Sequence, residues 1–499
     1  MRFCNLTSVF AISATCLAGA PALSQQVLDV GVASNVNTFD PARTKIGEEY
    51  IIDFLVYSGL TEIDGQGGVF PDLAEDWSAS EDQTVWTFTL REGVTFHDGS
   101  AFEPEDVKAT FERIMDEAVG STIRVNFSIV DEITIDDPRT VTFHLSQPYS
   151  GFPELLGDRQ ARIVPRDKVD MLASEPIGTG PFKFVSYTPG DNIALEKFDS
   201  YYKQGQPQLD EVNLRIMPES AAKISAIETG ELDLIWSVPM EAVEGLGENE
   251  DVRIDSIATS TWDGLIMNAS EPPFDDPRVR KAVLMSLDKQ ALVEFALFGN
   301  GTPTHSMIPP THPYFNDEIA ISGPDVEGAR ALLAEAGYED GFDITLYLPV
   351  GRPTRERLGV AAQQYLAEIG INAELQRVPW DQFIKEIEGK AAFFADGFYS
   401  RPTIDASIYP WFHSEGSWNT QLWHYSNEEI DSVLDAARAA TSEEERTQLY
   451  KEFQALANET PAGAIAYVQD HMNAVRTEVD GFSSSAMLWL DLREVSISE

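Results

Sequence analysis

Hydrophobic and polar residues alternate in short runs through the first part of the chain. Residues 86–90 place tryptophan, phenylalanine and leucine at every second position, with threonine between them. This period of two is typical of a half-buried β-strand. Similar short runs lie at 141–145, 182–185, 192–198 and 211–216. The pattern therefore predicts that the segment from residue 27 to about residue 215 is rich in β-strands, with a few helices.

The second half of the chain shows helical periods. Asp276 and Pro277 form an N-cap followed by proline at the first helical position. Segments 342–348, 355–369 and 371–378 form a strand, helix and strand pattern, which favours an α/β arrangement. Capping boxes at Ser426 and Ser442 predict two amphipathic helices, at about 428–440 and 443–458.

The first 24 residues resemble a removable export signal. Arg2 is followed by a short apolar run, and the small side chains of Ala22 and Ser24 suit cleavage after Ser24. The apolar run is too short to span a bilayer as a helix. Cys4 and Cys16 both lie in this segment, so we expect a mature chain without disulfides, thiolate metal sites or cysteine nucleophiles. A lipoprotein anchored at Cys16 is the weaker alternative.

The net negative charge of the chain excludes some classes of binding partner. The chain has 35 basic and 82 acidic residues, a formal net charge of −47 at pH 7. Such a field repels nucleic acid and anionic membrane surfaces, so neither is an expected partner. A solvated acidic shell that keeps an exported protein in solution explains this charge. The length suggests two or three domains.

A search for catalytic patterns finds no defined constellation. The seven histidines show no tight metal-binding spacing, and no GxSxG nucleophile elbow occurs. Carboxylate pairs suited to glycoside cleavage stay open, but 82 acidic residues make such pairs inevitable by chance. We therefore expect no enzyme and no cofactor. A secreted acidic hydrolase is the alternative from another class of function.

Several segments resemble one known family when taken in order. The segment 86–107, WTFTLREGVTFHDGSAFEPEDV, resembles the signature of extracytoplasmic solute-binding family 5, the receptors of peptide-type ABC importers. Further matching segments are NTFDP at 37–41, VYSGLT at 56–61, PDLAEDW at 71–77, GTGPF at 178–182 and PFDDPRVRKA at 273–282. The resemblance covers nearly the whole mature chain.

The resemblance implies an α/β two-lobe periplasmic-binding-protein fold, of type II and the large cluster C form. Lobe I would hold residues 25–266 plus 475–499, with an extra β-rich subdomain at about 45–180. Lobe II would hold residues 267–474. The two chain crossings, near 265–268 and 466–474, would form a hinge. A ligand that touches both lobes only when they close would shift the population toward the closed form.

The same resemblance implies the function. It predicts a periplasmic, monomeric receptor that captures peptides or peptide-like solutes in the cleft. The receptor would deliver them to ABC permease subunits in the inner membrane, which work with cytoplasmic ATPases. A nickel-chelate or haem carrier of the same fold stays open as an alternative.

The segment GFYSRPTID at 397–405 is the most informative one about contacts with the ligand. In peptide-binding relatives, an aspartate in this loop pairs with the free amino terminus of the ligand. The ungapped match puts Arg401 at that place, and Asp405 takes the role only if the loop is shifted. A guanidinium that faces the cleft would suit a carboxylate. A surface arginine paired with an acidic residue is the alternative.

Aromatic side chains near this loop are further candidates, because cleft aromatics stack on planar, apolar or cationic ligands. Core packing is the default for any one of them. Asn35 and Val36 follow the first strand, where the family's cleft receives backbone contacts, and Arg352 follows a later strand. The aromatic candidates are Trp262, Phe398, Tyr399, Trp411 and Trp418.

Overall fold

The computed structural model describes residues 25–64, 68–321, 323–401 and 403–498. The predicted export signal, with Cys4, Cys16 and the cleavage position, lies outside these residues. No helix within the described ranges is both long and apolar enough to cross a lipid bilayer.

The strands follow the alternating runs of the sequence. They are β1 (Val27–Val32), β2 (Thr61–Ile63), β3 (Val69–Pro71), β4 (Ala74–Ala79), β5 (Val85–Leu90), β6 (Val130–Asp137), β7 (Thr140–Leu145), β8 (Phe182–Thr188), β9 (Asn192–Lys197), β10 (Glu211–Ile216), β11 (Leu234–Ile235), β12 (Val252–Met267), β13 (Gly301–Pro303), β14 (Phe342–Val350), β15 (Ile371–Pro379), β16 (Phe393–Phe398), β17 (Gly463–Arg476), β18 (Val479–Asp480) and β19 (Ser496–Ile497).

The α-helices are concentrated in the second half of the chain. They are α1 (Gly47–Val56), α2 (Pro104–Met115), α3 (Phe152–Leu156), α4 (Ser220–Glu228), α5 (Val243–Gly247), α6 (Pro277–Ser286), α7 (Lys289–Leu297), α8 (Val326–Glu335), α9 (Pro353–Glu368), α10 (Trp380–Glu386), α11 (Ile404–Phe412), α12 (Glu428–Ala439) and α13 (Glu443–Glu459).

Most of the predicted elements are confirmed. The strand, helix and strand of the second half are β14, α9 and β15, in which β14 and β15 pair in parallel. The side chain of Asp276 caps α6 by accepting from the backbone N–H of Arg278, and Ser442 caps α13. One cap differs from the prediction: Asn427, not Ser426, accepts the first backbone N–H groups of α12.

One large mixed sheet runs through the molecule, in the order β15-β14-β16-β12-β17-β11-β1-β10-β9-β8. Its two longest strands, β12 and β17, pair antiparallel, and both run from one half of the sheet into the other. On one side β17 continues to β11 and β1, and on the other side β12 continues to β16 and β14. The β12–β17 pair therefore joins the two halves of the sheet.

The pairing of β12 with β17 is interrupted between Ala258 and Trp262. Such an irregularity leaves backbone groups free of the ladder and bends the strands. It lies a few residues before the first crossing predicted from the sequence, at 265–268. The lobe boundaries and the hinge stay predictions. The interruption itself forms one wall of a cavity.

A separate four-stranded antiparallel sheet, β4-β5-β7-β6, lies within the range 45–180, for which a β-rich subdomain is predicted. The alternating side chains of β5, at Trp86, Phe88 and Leu90, face its core and are almost fully buried. His97, in the turn that follows, contacts the backbone oxygen of Gly180 at 3.0 Å. Burial lowers the pKa of His97 to about 4, so the ring is neutral and structural. The signature segment therefore builds the scaffold.

Candidate functional site

A cavity of about 840 Å³ lies where segments from both parts of the chain meet. One side is formed by the ends of β2–β3, by α3 and by the segment at 486–487. The opposite side is formed by residues at 309–314 and 400–404 and by the start of α13. The lining residues are Asp64, Gly68, Val69, Glu154, Ile257, Ala258, Thr259, Ser260, Pro309, Thr311, His312, Pro313, Tyr314, Ser400, Arg401, Thr403, Ile404, Glu443, Arg446, Ala486 and Met487.

The interrupted part of β12 forms the wall between these two sides. Thr259 and Ser260 lie in the interruption and line the cavity. The hydroxyl of Thr259 donates to the backbone oxygen of Gln469 on β17 (2.8 Å), and the hydroxyls of Ser260 and Ser400 are 2.9 Å apart. These bonds hold the two crossing strands and the 400–404 segment together, so the polar wall is well fixed.

Arg401 lines the cavity, as the sequence hypothesis requires of a ligand-binding residue. Its guanidinium lies over the ring of Phe398, 4.6 Å from the centroid, and its side chain interacts electrostatically with Tyr50 on α1. Burial and the positive charge of Arg159 lower the pKa of Arg401 to about 10. The alternative of an exposed arginine paired with an acidic residue does not fit this environment: none of the described carboxylates forms an ion pair with Arg401.

Asp405, the alternative to Arg401, is engaged elsewhere. Its carboxylate accepts two hydrogen bonds from the guanidinium of Arg438, at 2.9 and 2.8 Å, and a longer one from the hydroxyl of Tyr149 at 3.3 Å. It is not among the residues that line the cavity. This arrangement favours a structural role for Asp405, in which it fixes α11 to α12 and to the segment before α3.

A second set of charged residues lies along the cavity, at the contact between α3 and α13. Arg446 contacts Glu154 at 3.0 Å and Glu443 at 2.7 Å. Burial raises the pKa of Glu154 to about 7, although Arg446 attracts its charged form, while Glu443 and Asp405 add repulsion. The desolvation of the carboxylate outweighs the attraction, although 21% of the Glu154 side chain is exposed. The Glu154–Arg446 pair ties the β-rich subdomain to the second half of the chain.

Most of the predicted aromatic residues pack together outside the cavity lining. Trp411 lies at the centre of this group, with Trp262 at 5.0 Å, Phe398 at 5.2 Å and Trp418 at 5.8 Å between ring centroids. Trp262 and Trp411 are almost fully buried in the core. Their burial favours the packing role that is the default for aromatic residues. Tyr399 is different, because 58% of its side chain is exposed.

Asn35 and Val36 lie away from the main cavity. Asn35 accepts a hydrogen bond from the backbone N–H of Gly190 at 2.6 Å, and Val36 lines a smaller cavity of about 400 Å³ with Tyr187. Arg352 lies over the ring of Trp380, 4.3 Å from its centroid, and does not line the main cavity. A role of these three residues in ligand binding stays a prediction.

Several cavity residues give no signal in the sequence. Glu154 is one of 82 acidic residues and lies in a helix of five residues. His312 and Tyr314 lie in an irregular segment, with their rings 4.6 Å apart. For Arg446 the sequence gives a partial signal, because the capping box at Ser442 places this residue in the first turn of a helix. Only the three-dimensional contacts bring these residues to one cavity. Among the described residues, no group of three or more His, Cys, Asp or Glu side chains is arranged to hold a metal ion.

A sequence model of the bacterial extracellular solute-binding proteins, family 5 Middle, matches residues 68–419. The chain belongs to this family. The glutathione-binding protein GsiB of Salmonella paratyphi A is 31% identical over 457 residues, which cover 88% of each chain. GsiB of Escherichia coli K12 is 29% identical over 453 residues, again with 88% of each chain covered.

Solved structures of similar proteins support the same assignment. AgaA from A. tumefaciens R10, in complex with agropinic acid, is 28% identical with a TM-score of 0.81, over 95% of this chain and 99% of that chain. DppA from Helicobacter pylori, in complex with the peptide STSA, is 25% identical with a TM-score of 0.81, over 95% and 98%. The predicted two-lobe fold is confirmed, and so is the predicted function class, a solute-binding protein of an ABC importer. The family consists of periplasmic or extracytoplasmic binding proteins.

Proposed function

We propose that this family 5 protein captures a small peptide or peptide-like solute in the 840 Å³ cavity and delivers it to its permease. The observation that carries the proposal is the composition of the cavity wall. Residues from both sides of the crossing strands line it, so a solute in the cavity contacts both lobes at once. A ligand with contacts on both lobes stabilises the closed arrangement, which the permease then distinguishes from the open one.

The size and chemistry of the cavity suit a solute of a few residues. Ligand pockets in proteins typically occupy about 300–1,000 Å³ and carry a small number of placed polar groups. Here the polar groups include hydroxyls at Ser260 and Ser400 and charges at Arg401, Arg446 and Glu154. The relatives are named for glutathione binding, or were solved with a short peptide or with agropinic acid. These names support a peptide-like solute that carries an acidic group.

The setting of the protein is part of the same proposal. Export would remove the first 24 residues, and the mature monomer would work in the periplasm with permease subunits of the inner membrane and their cytoplasmic ATPases. Amino-terminal sequencing of the exported protein tests the cleavage position. A mature chain that begins at Gln25 supports cleavage after Ser24, and a lipid-modified Cys16 would contradict it.

The solute can be identified directly. Mass spectrometry of the material released from freshly purified protein, followed by calorimetry with the identified compound, should show one peptide-like solute bound per chain. Metal analysis and a visible spectrum of the same sample distinguish the carrier alternatives: bound nickel or a haem absorption band would contradict the peptide proposal. Turnover of the solute would favour the hydrolase.

A pair of variants shows whether the solute occupies this cavity. Ala258→Trp fills the main cavity at a partly exposed wall position, and Ala173→Trp fills the smaller cavity beside Val36. We expect Ala258→Trp to lower affinity by at least tenfold, about 1.4 kcal/mol, and Ala173→Trp to leave it unchanged. The opposite result would move the site to the smaller cavity. Circular dichroism and thermal melting check that both variants fold.

A further inference from the structure

Two guanidinium groups from opposite sides of the cleft converge beside the cavity. Arg401 follows β16 and lines the cavity, and Arg159 follows α3. Arg159 donates to the backbone oxygen of Met487, a lining residue, at 3.4 Å, and its guanidinium lies 3.8 Å from the ring centroid of Tyr50. The side chain of that same tyrosine also interacts electrostatically with Arg401. Tyr50 is therefore near both arginines at one corner of the cavity.

Neither arginine has a carboxylate of its own. Over the described parts of the chain, no ion pair is formed by Arg159 or Arg401. Asp158 acts on Arg401 at longer range and accepts a hydrogen bond from the backbone N–H of Gln160 at 2.8 Å. The protein has 82 acidic and 35 basic residues, yet these two neighbouring arginines are not paired with a carboxylate.

The energetics of this corner favour an added anion. Arg159 is only 2% exposed, so water screens its charge poorly. Burial and the charge of Arg159 lower the pKa of Arg401 to about 10. Two like charges in a partly buried corner repel each other, and an anion placed between them would offset this repulsion.

We propose that Arg159 and Arg401 form an anion site, divided between the two sides of the cleft, that receives a carboxylate of the solute. Guanidinium groups bind carboxylates through two parallel hydrogen bonds, which a lysine cannot reproduce. The site rests on the proposed function, since the carboxylate belongs to the captured solute. The site would also make closure depend on the solute, because the two cations repel each other until the solute supplies a negative charge.

The experiment compares three arginine variants of the full-length exported protein. Arg159→Met and Arg401→Met remove one cation each from the site. Arg377→Met removes a cation from β15 whose side chain is 58% exposed, and it serves as the matched control for net charge. The readouts are the amount of solute that co-purifies with each variant and the calorimetric affinity for glutathione and for its diethyl ester, in which both carboxylates are blocked.

The expected result is an anionic solute in the wild type. Both site variants should retain at most about a tenth of it, the loss of one charge-assisted hydrogen bond. The control should retain all of it. If glutathione binds the wild type, its affinity for the two site variants should be at least tenfold lower. The diethyl ester should bind the wild type and the variants equally weakly.

Two different failures can be told apart. A neutral or cationic solute, or undiminished binding in folded Arg159→Met and Arg401→Met, would overturn the anion site and leave the receptor function in place. A wild-type protein that releases no solute and binds neither glutathione nor its ester would overturn the receptor proposal and the anion site together. Arg401→Lys, which keeps the charge but not the fork, should recover less than the full affinity.

Discussion

Replacing Glu154 by glutamine should remove a pH dependence that the burial of this carboxyl group builds into the protein. Glu154 on α3 is faced by Arg446 and Glu443 on α13 and by Asp405 on α11. His312 stays neutral above about pH 5, because burial lowers its pKa to about 4. Glu154 is therefore the group at this contact that titrates near neutral pH.

The sign and size of the effect follow from the pKa. Burial raises the pKa of Glu154 from 4.5 to about 7, so the folded protein binds this proton more readily than the unfolded chain. The resulting stability is fully present below about pH 4.5 and is lost as the pH rises through about 7. At about 1.4 kcal/mol for each pKa unit, the contribution should fall by about 2 kcal/mol between about pH 5 and about pH 8.

Urea denaturation of the wild type and of Glu154→Gln over this pH range measures the contribution as a difference. Glutamine keeps a hydrogen bond to Arg446 but does not ionise, so other titrating groups cancel in the comparison. The wild type should lose about 2 kcal/mol relative to the variant on going from about pH 5 to about pH 8. Parallel stability curves for the two proteins would refute the assignment of a raised pKa to a buried Glu154.

Three further predictions concern the scaffold. A Cβ at Gly178 would lie 2.1 Å from the backbone oxygen of Val56. Gly178→Ala should therefore lower the free energy of unfolding by about 3 kcal/mol. Gly245 has open space around it, so Gly245→Ala should change the free energy of unfolding little. Arg355→Met leaves the buried carboxylates of Asp263 on β12 and Asp396 on β16 without their cation. It should lower the free energy of unfolding by about 3–5 kcal/mol at neutral pH. The loss should be smaller in acid, where those carboxylates are protonated. Asp276→Ala removes the cap of α6 and should cost about 1 kcal/mol. Urea denaturation measures all three, and a cost below about 0.5 kcal/mol would contradict the corresponding contact.

Much of the fold could be predicted because the local signals agree with the final structure. The period of two in 86–90 matches β5, and the capping box at Ser442 matches the start of α13. The cap of α12 was misplaced by one residue, since Ser426 and Asn427 are both good capping residues and their order alone does not decide. The long pairing of β12 with β17 has no local signal, because it joins distant parts of the chain.

The site was harder to predict for a physical reason. A dense group of aromatic residues is favourable both in a core and in a cleft, and the sequence could not show that Trp262 and Trp411 are buried against each other. Whether Arg401 or Asp405 faces the cavity depends on contacts with residues that are distant in the sequence. Arg438 satisfies Asp405, while Arg401 is left with Arg159 beside it. Such contacts are set by how the two halves of the chain pack.

A crystal structure of the protein purified with its natural solute tests the central claim most directly. The account predicts density for one small molecule in the cavity between Ser260, Met487 and Arg401, with an acidic group of the solute at the Arg159–Arg401 corner. Density in the smaller cavity beside Val36 and Tyr187 would contradict the account, as would a solute in the main cavity that turns a neutral or cationic group toward the two arginines.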